Sequence, residues 1–226
     1  MSHPRLKEIA TLLNSLDSRD RLLALIELKE LPAAEALPFI KQAIEDQNLP
    51  VRSLAIRTLA AKPTPESYEI LTRLLIEDQD YEVRAGAAGA LGYLDDLRAL
   101  QPLTRAFFED TAWLVRFSAA VSLGNLRDPR AYDVLVHALD HQEAVIQEAA
   151  IAALGEIKAL GAIDNLLRFV QSQDWMVRQR LAETLGQLRD PKSISALKYL
   201  SKDEHHKVSR AAILALQQLG TLPETE

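Results

Sequence analysis

Residues Leu97–Gly124 read LRALQPLTRAFFEDTAWLVRFSAAVSLG. Leu97, Leu100, Leu103, Ala106 and Phe107 recur at helical spacing and form one apolar stripe. Asp110 and Thr111 interrupt it. A second stripe then runs over Leu114, Val115, Ser118, Ala119 and Leu123, with small residues in its middle that allow a close helix–helix approach. The stretch predicts a helical hairpin: helix A, a tight turn, helix B. Asp96 is placed to cap helix A by accepting from free backbone N–H groups. Gly124 fits the left-handed position just past the end of helix B. Asp128-Pro129 then opens the next unit, an N-cap followed by proline at the first helical position. Asp190-Pro191 and Thr64-Pro65 are expected to do the same elsewhere.

The hairpin repeats. Leu59, Leu91, Leu123, Leu154, Leu185 and Leu216 follow one another at 31 or 32 residues. Glycine follows four of them, at Gly92, Gly124, Gly155 and Gly186. Eight residues before the leucine stands Val51, Val83, Val115, Ile146, Val177 or Val208. Arg52, Arg84, Arg116 and Arg178 follow their valines, and Asp46, Asp78, Asp110 and Asp203 precede theirs by five. A period in this range marks a stacked array, in which each unit buries its apolar face against its neighbours. The predicted fold is all-α, a right-handed α-solenoid of about seven HEAT-like helix pairs over 1–226. It has a degenerate N-terminal cap at 1–31, a C-terminal cap at 191–219 and a polar tail at 220–226. The A helices are placed near 4–16, 33–44, 66–76, 97–108, 130–139, 159–170 and 192–200. The B helices are placed near 20–30, 49–60, 82–91, 113–123, 143–154, 175–185 and 204–219.

Composition narrows the function. Aromatic residues are only 5% of a chain that is 48% hydrophobic, so the core is built from Leu, Ile, Val and Ala. The net charge of −6 argues against nucleic acid as a partner, because binding its backbone calls for a basic face. With no cysteine there is no disulfide, thiolate nucleophile or Cys-based metal site. No signal-peptide pattern and no apolar run long enough to span a membrane is found, so a soluble cytoplasmic protein with no membrane partner is expected. His137 and His141 have an i, i+4 spacing that suits a metal, but Ala138 stands where the zinc-protease pattern needs Glu; no metal site is expected. No catalytic residue emerges.

The pattern of Asp, five residues to Val-Arg, a small residue and Leu-Gly, from about Asp46 to Leu219, resembles the HEAT-like repeats of the phycobilisome lyase class. Within that class Leu114–Arg130 is most similar to the NblB-type phycobilisome degradation proteins. The class also contains bilin lyase subunits, di-iron hydroxylases of deoxyhypusine and, in a related group, alkylpurine DNA glycosylases. The hydroxylase branch would require repeated His-Glu pairs, and none of His3, His137, His141, His205 and His206 is followed by Glu. Isomerising lyases carry a cysteine motif that this chain lacks, and the acidic charge disfavours the glycosylases. The resemblance implies a protein-binding scaffold that engages phycobiliprotein subunits, with a bilin tetrapyrrole as a candidate ligand, through its concave B-helix face in phycobilisome degradation or turnover. No cofactor is required. The alternatives are a bilin lyase without its own nucleophile and an adaptor for another protein partner.

The candidate binding residues follow from the pattern and its exceptions. Arg84, Arg116 and Arg178 belong to the arginine column. That column is expected to form an Asp–Arg ladder between neighbouring repeats, to offer paired donors to carboxylates such as bilin propionates, or to do both, since a ladder can leave N–H donors free. Tyr81, Trp113 and Trp175 stand two residues before the valine, in the first turn of helix B, and either pack over the A–B turn or form an aromatic row suited to a flat chromophore or a partner helix. Phe117 is bulky where Ala85 and Gln179 stand in neighbouring repeats, and is expected toward the exposed side of helix B. Ala85, Ala88, Gly89, Ala120, Val121, Ile151 and Ala152 suggest an exposed apolar strip for protein binding.

Overall fold

A computed structural model describes residues 4–221. The end of the expected tail, residues 222–226, lies outside them. Fourteen α-helices and no strand are found among the described residues. The chain divides into two compact units, Met1–Ala119 and Ala120–Glu226, the boundary falling inside one helix.

The first unit holds three helical hairpins: α1 (Pro4–Leu13) with α2 (Ser18–Glu27), α3 (Ala33–Ile44) with α4 (Leu49–Ala61), and α5 (Ser67–Glu77) with α6 (Tyr81–Leu91). It ends with α7 (Leu100–Glu109) and the start of α8 (Trp113–Asn125). The B helices α2, α4 and α6 pack in succession, and the A helices line up beside them, α1 on α3 and α5 on α7. The second unit takes the remainder of α8, then α9 (Tyr132–Ala138) with α10 (Ala144–Glu156), α11 (Ile163–Leu167) with α12 (Trp175–Leu188), and α13 (Ile194–Leu200) with α14 (His206–Gln218). Here α10, α12 and α14 pack in succession.

The residues that repeat are the core. Val51, Val83, Val115, Ile146 and Val208 are fully buried and Val177 nearly so, as are the leucines that follow eight residues later. Four A helices open on a 3-10 turn, at Leu97–Ala99, Pro129–Ala131, Leu160–Ala162 and Pro191–Ser193. Asp96, Asp128 and Asp190 cap three of them by accepting from the N–H two residues on. Thr64-Pro65 works differently from expectation. No side chain of that pair caps α5; instead the Ser67 hydroxyl accepts from Thr64 N at 2.8 Å.

Gly124 also departs from expectation. It lies inside α8 rather than past its end, and the left-handed residue comes three positions later, at Arg127 (φ 51°). The same slot, four residues after the repeating leucine, is left-handed at Asp95, Lys158, Arg189 and Gly220. There the chain turns back on the helix end, with Ala159 N donating to Leu154 O (2.9 Å) and Thr221 N to Leu216 O (3.0 Å). The repeating glycine serves packing instead. A Cβ on Gly124 would stand 2.7 Å from both Cα and Cβ of Ala153, and one on Gly186 would stand 2.8 Å from the Cβ of Ala215.

The expected apolar strip is largely internal. Ala85, Ala88, Ala120 and Ile151 are buried; Gly89, Val121 and Ala152 are half-buried. The reason is the stacking itself. A B helix in the middle of an array is covered by its own A helix and by the B helices before and after it, which leaves only a narrow stripe for solvent.

Candidate functional site

The turn between helices A and B is organised by the arginine column. Each arginine sits in the first turn of a B helix, and its Nη1 donates to the backbone carbonyl six residues earlier. Arg21 reaches Ser15 (2.9 Å), Arg52 reaches Asp46 (2.9 Å), Arg84 reaches Asp78 (2.9 Å), Arg116 reaches Asp110 (3.4 Å) and Arg178 reaches Ser172 (2.6 Å). These carbonyls lie in the connection after helix A, where no intrahelical donor remains. Gln147 stands in the arginine slot of its repeat and donates to His141 O in the same way (2.8 Å).

The rest of the guanidinium pairs with a carboxylate of the next repeat. Arg21 holds Asp46 at 2.6 and 2.9 Å, Arg84 holds Asp110 at 2.7 and 3.1 Å, and Arg178 holds Asp203 at 2.7 and 3.0 Å. All three pairs are bidentate and mostly buried. Arg52 makes a single contact, to Asp80 at 3.2 Å rather than to Asp78. The aspartates serve twice: Asp46, Asp110 and Asp203 also accept from the backbone N–H two residues on, at Asn48, Ala112 and His205. Burial is the largest influence on Asp46 and Asp110 and disfavours their ionised forms, but the bonds from Arg21 and Arg84, the backbone N–H groups of Asn48 and Ala112 and the nearby guanidinium charges together outweigh it and hold both carboxyls below the usual range. The bond from Arg178 lowers Asp203 likewise.

The ladder therefore engages Arg84 and Arg178 inside the fold, which leaves little of either for an external carboxylate. Arg21 belongs to the ladder although its repeat lacks the Val-Arg signature. The signal in the sequence was its position 31 residues before Arg52.

The aromatic row divides by environment. Tyr81 and Trp113 open α6 and α8 with about half of their surface exposed. Trp175 opens α12 but is half-buried and stacked on His205, ring centroids 4.0 Å apart and planes within 14°. The ammonium of Lys207 lies 5.0 Å from the same indole. Phe117, expected toward solvent, is half-buried, as is Val121.

Two depressions are lined mostly by residues not singled out by sequence, although Gly89 and Ala152 of the expected apolar strip border them. In the first unit a shallow apolar groove of about 510 Å³ is lined by Ile56, Ala60, Gly86, Gly89 and Tyr93, with Arg57 at its edge. In the second, a groove of about 540 Å³ runs along α12 and α14 beside Arg180, Lys207, Arg210 and Leu214. Neither was legible in the sequence, because both arise where side chains from different repeats are small or diverge. Among the described residues no cluster of His, Asp or Glu is arranged to hold a metal ion, and no helix is long and apolar enough to cross a membrane.

The family model for HEAT repeats matches residues 6–85, 71–155 and 137–217, and the chain belongs to that family. No curated protein matches it. Solved structures are similar in fold. A chain of the complex of CpcE and CpcF of phycocyanin lyase from Nostoc sp. PCC7120 aligns at 20% identity and a TM-score of 0.61, covering 97% of this chain and 88% of that one. A chain of the Kap95p–RanGDP complex aligns at 14% identity and a TM-score of 0.72 over 95% of this chain and 36% of that one. A designed armadillo repeat protein aligns at 20% identity and a TM-score of 0.52, covering 95% and 99%.

Proposed function

We propose that this protein is a cytoplasmic protein-binding scaffold that engages phycobiliprotein subunits, and the bilins they carry, in phycobilisome degradation or turnover. The observation that carries this is the fold likeness to the CpcE–CpcF lyase complex over nearly the full length of both chains. The repeat signature over Leu114–Arg130 points the same way, and the half-exposed rings of Tyr81 and Trp113 offer flat apolar contact area. The NblB-type role is favoured over the lyases because the chain has no cysteine and no other candidate nucleophile. A lyase-like activity would have to work by positioning a bilin against the acceptor protein's own cysteine.

Mixing the purified protein with phycocyanin, and separately with free phycocyanobilin, tests this. A co-eluting complex in gel filtration, or a shift in visible absorption or fluorescence, is expected. The double variant Tyr81→Ala/Trp113→Ala should lose it while keeping its helicity. If neither a complex nor a spectral change is seen, the phycobilisome assignment fails and an adaptor for another protein remains.

A further inference from the structure

The groove along α12 and α14 has a floor of small or aliphatic groups, from Thr184, Ala211 and Ala215, and half-exposed Leu214 on its rim. Its carboxylates are matched. Arg180 lies between Glu148 (3.2 Å) and Glu183 (2.7 Å), and Glu183 also accepts from Gln179 (2.8 Å). Glu156 faces Arg127 at 3.5 Å and accepts from Gln187. Two cations on the α14 wall are not matched. Arg210 has no ion pair among the described residues, and the ammonium of Lys207 meets only the face of Trp175. Three residues apart on one helix, they share a face.

We infer that this groove docks an acidic amphipathic segment of a partner protein, with its apolar side on Ala211, Leu214 and Ala215 and its carboxylates on Arg210 and Lys207. Charge complementarity is the argument. The chain carries −6 overall, yet here each carboxylate has a guanidinium partner, Arg180 serving two, and two further cations stand beside an apolar floor. Acidic side chains gain charge-assisted bonds at such a site, and the planar fork of Arg210 suits a carboxylate bidentately. The small floor residues let a partner backbone come close. This docking depends on carboxylates in a peptide and not on a chromophore, so it stands or falls apart from the phycobilisome assignment.

The probe is a short fluorescein-labelled helical peptide with Leu and Ala on one side and Glu along its flanks. Its partner is the same peptide with every Glu replaced by Lys. The full chain carrying Trp113→Phe lets Trp175 report from beneath Lys207. Anisotropy should show saturable binding of the acidic peptide that weakens with added salt, little binding of the basic one, and a change in Trp175 emission only with the former. Arg210→Glu should weaken the acidic peptide by about tenfold or more, and Arg210→Gln by less in the same direction. Arg210 is exposed, so unchanged thermal melts by circular dichroism are expected and will show that the fold is intact. Equal affinity for the two peptides, no binding of the acidic one, or full affinity in Arg210→Glu would overturn the inference.

Discussion

The glycines of α6 and those of the second unit occupy B helices of the same repeat type and do opposite things. A Cβ on Gly124, Gly155 or Gly186 would come within 2.6 to 2.8 Å of the following B helix or of a side chain it projects. A Cβ on Gly89 would meet nothing within 4 Å, and one on Gly86 would stand 3.8 Å from Ile56, an ordinary contact. The repeating glycine is a spacing device. It sits opposite the small residue that precedes the next leucine, Ala153, Thr184 or Ala215, and lets successive B helices approach. Gly86 and Gly89 lie off that register and border an open groove. A glycine in a helix interior costs about 1 kcal/mol relative to alanine, and in α6 internal packing gives nothing back.

The ladder supplies a second contrast. In the first unit it runs through Arg21, Arg52 and Arg84 without a gap. In the second, Gln147 keeps the bond to the turn carbonyl but carries no charge, and Arg178 resumes the pairing at the last repeat.

Substitutions sharpen both contrasts. The largest loss is expected for Arg178→Ala. It leaves the mostly buried Asp203 carboxylate without its partner and frees the Ser172 carbonyl, at a cost of about 3 kcal/mol in chemical denaturation. Asp203→Ala should cost less, because Arg178 keeps its bonds to the turn carbonyls. Equal, small effects would show that the pair contributes little and that the turn bond dominates. Gly124→Ala comes next. The gain in helix propensity is outweighed by overlap with Ala153 backbone, for a net loss of about 1–2 kcal/mol measured as a lower thermal midpoint.

The acid limb follows in size. The carboxyls of Asp46, Asp110 and Asp203 are held below their unfolded value, so their contribution is complete above that value. It is lost as pH falls below about 4 toward the lowered folded values. The thermal midpoint should therefore drop steeply below about pH 4, and less steeply in Asp203→Asn, whose side chain does not titrate. The smallest effect, opposite in sign, is Gly89→Ala: a rise in stability of up to about 1 kcal/mol. If Gly89→Ala destabilises as much as Gly124→Ala does, the contrast between the two kinds of glycine is wrong.

Much of this was legible in the chain. The period fixed the helix pairs, and α3 falls on its expected bounds, Ala33–Ile44. The Asp–Arg ladder read from the arginine column is built in the structure at Arg84 and Arg178. What escaped was anything decided between repeats. The conserved-looking Leu-Gly step reads as a helix end by local chemistry, but the helix continues through Gly124 because the adjacent B helix requires the space. Ala88 and Ile151 read as part of an exposed strip by amphipathic logic and are buried, in helices that pack on their own A helices and on a B helix of the same unit, α6 on α5 and α4, α10 on α9 and α12. Phe117 reads as an exposed anchor and the fold half-buries it; Trp175, readable as packing or as a contact ring, stacks on His205, a residue thirty positions away that no local pattern links to it.

The sequence by itself determined the class. The spacing of Val and Leu states which faces are buried, and a 31-residue unit that cannot bury its apolar face alone must stack. Tertiary structure decided which side chains remain for a partner. That depends on which cations find a carboxylate in the neighbouring repeat and which do not. Arg84 and Arg178 have one, while Arg210 in the α12–α14 groove is left to face solvent. Charge pairing across a solenoid is set by distances between repeats, and those exist only once the helices have packed.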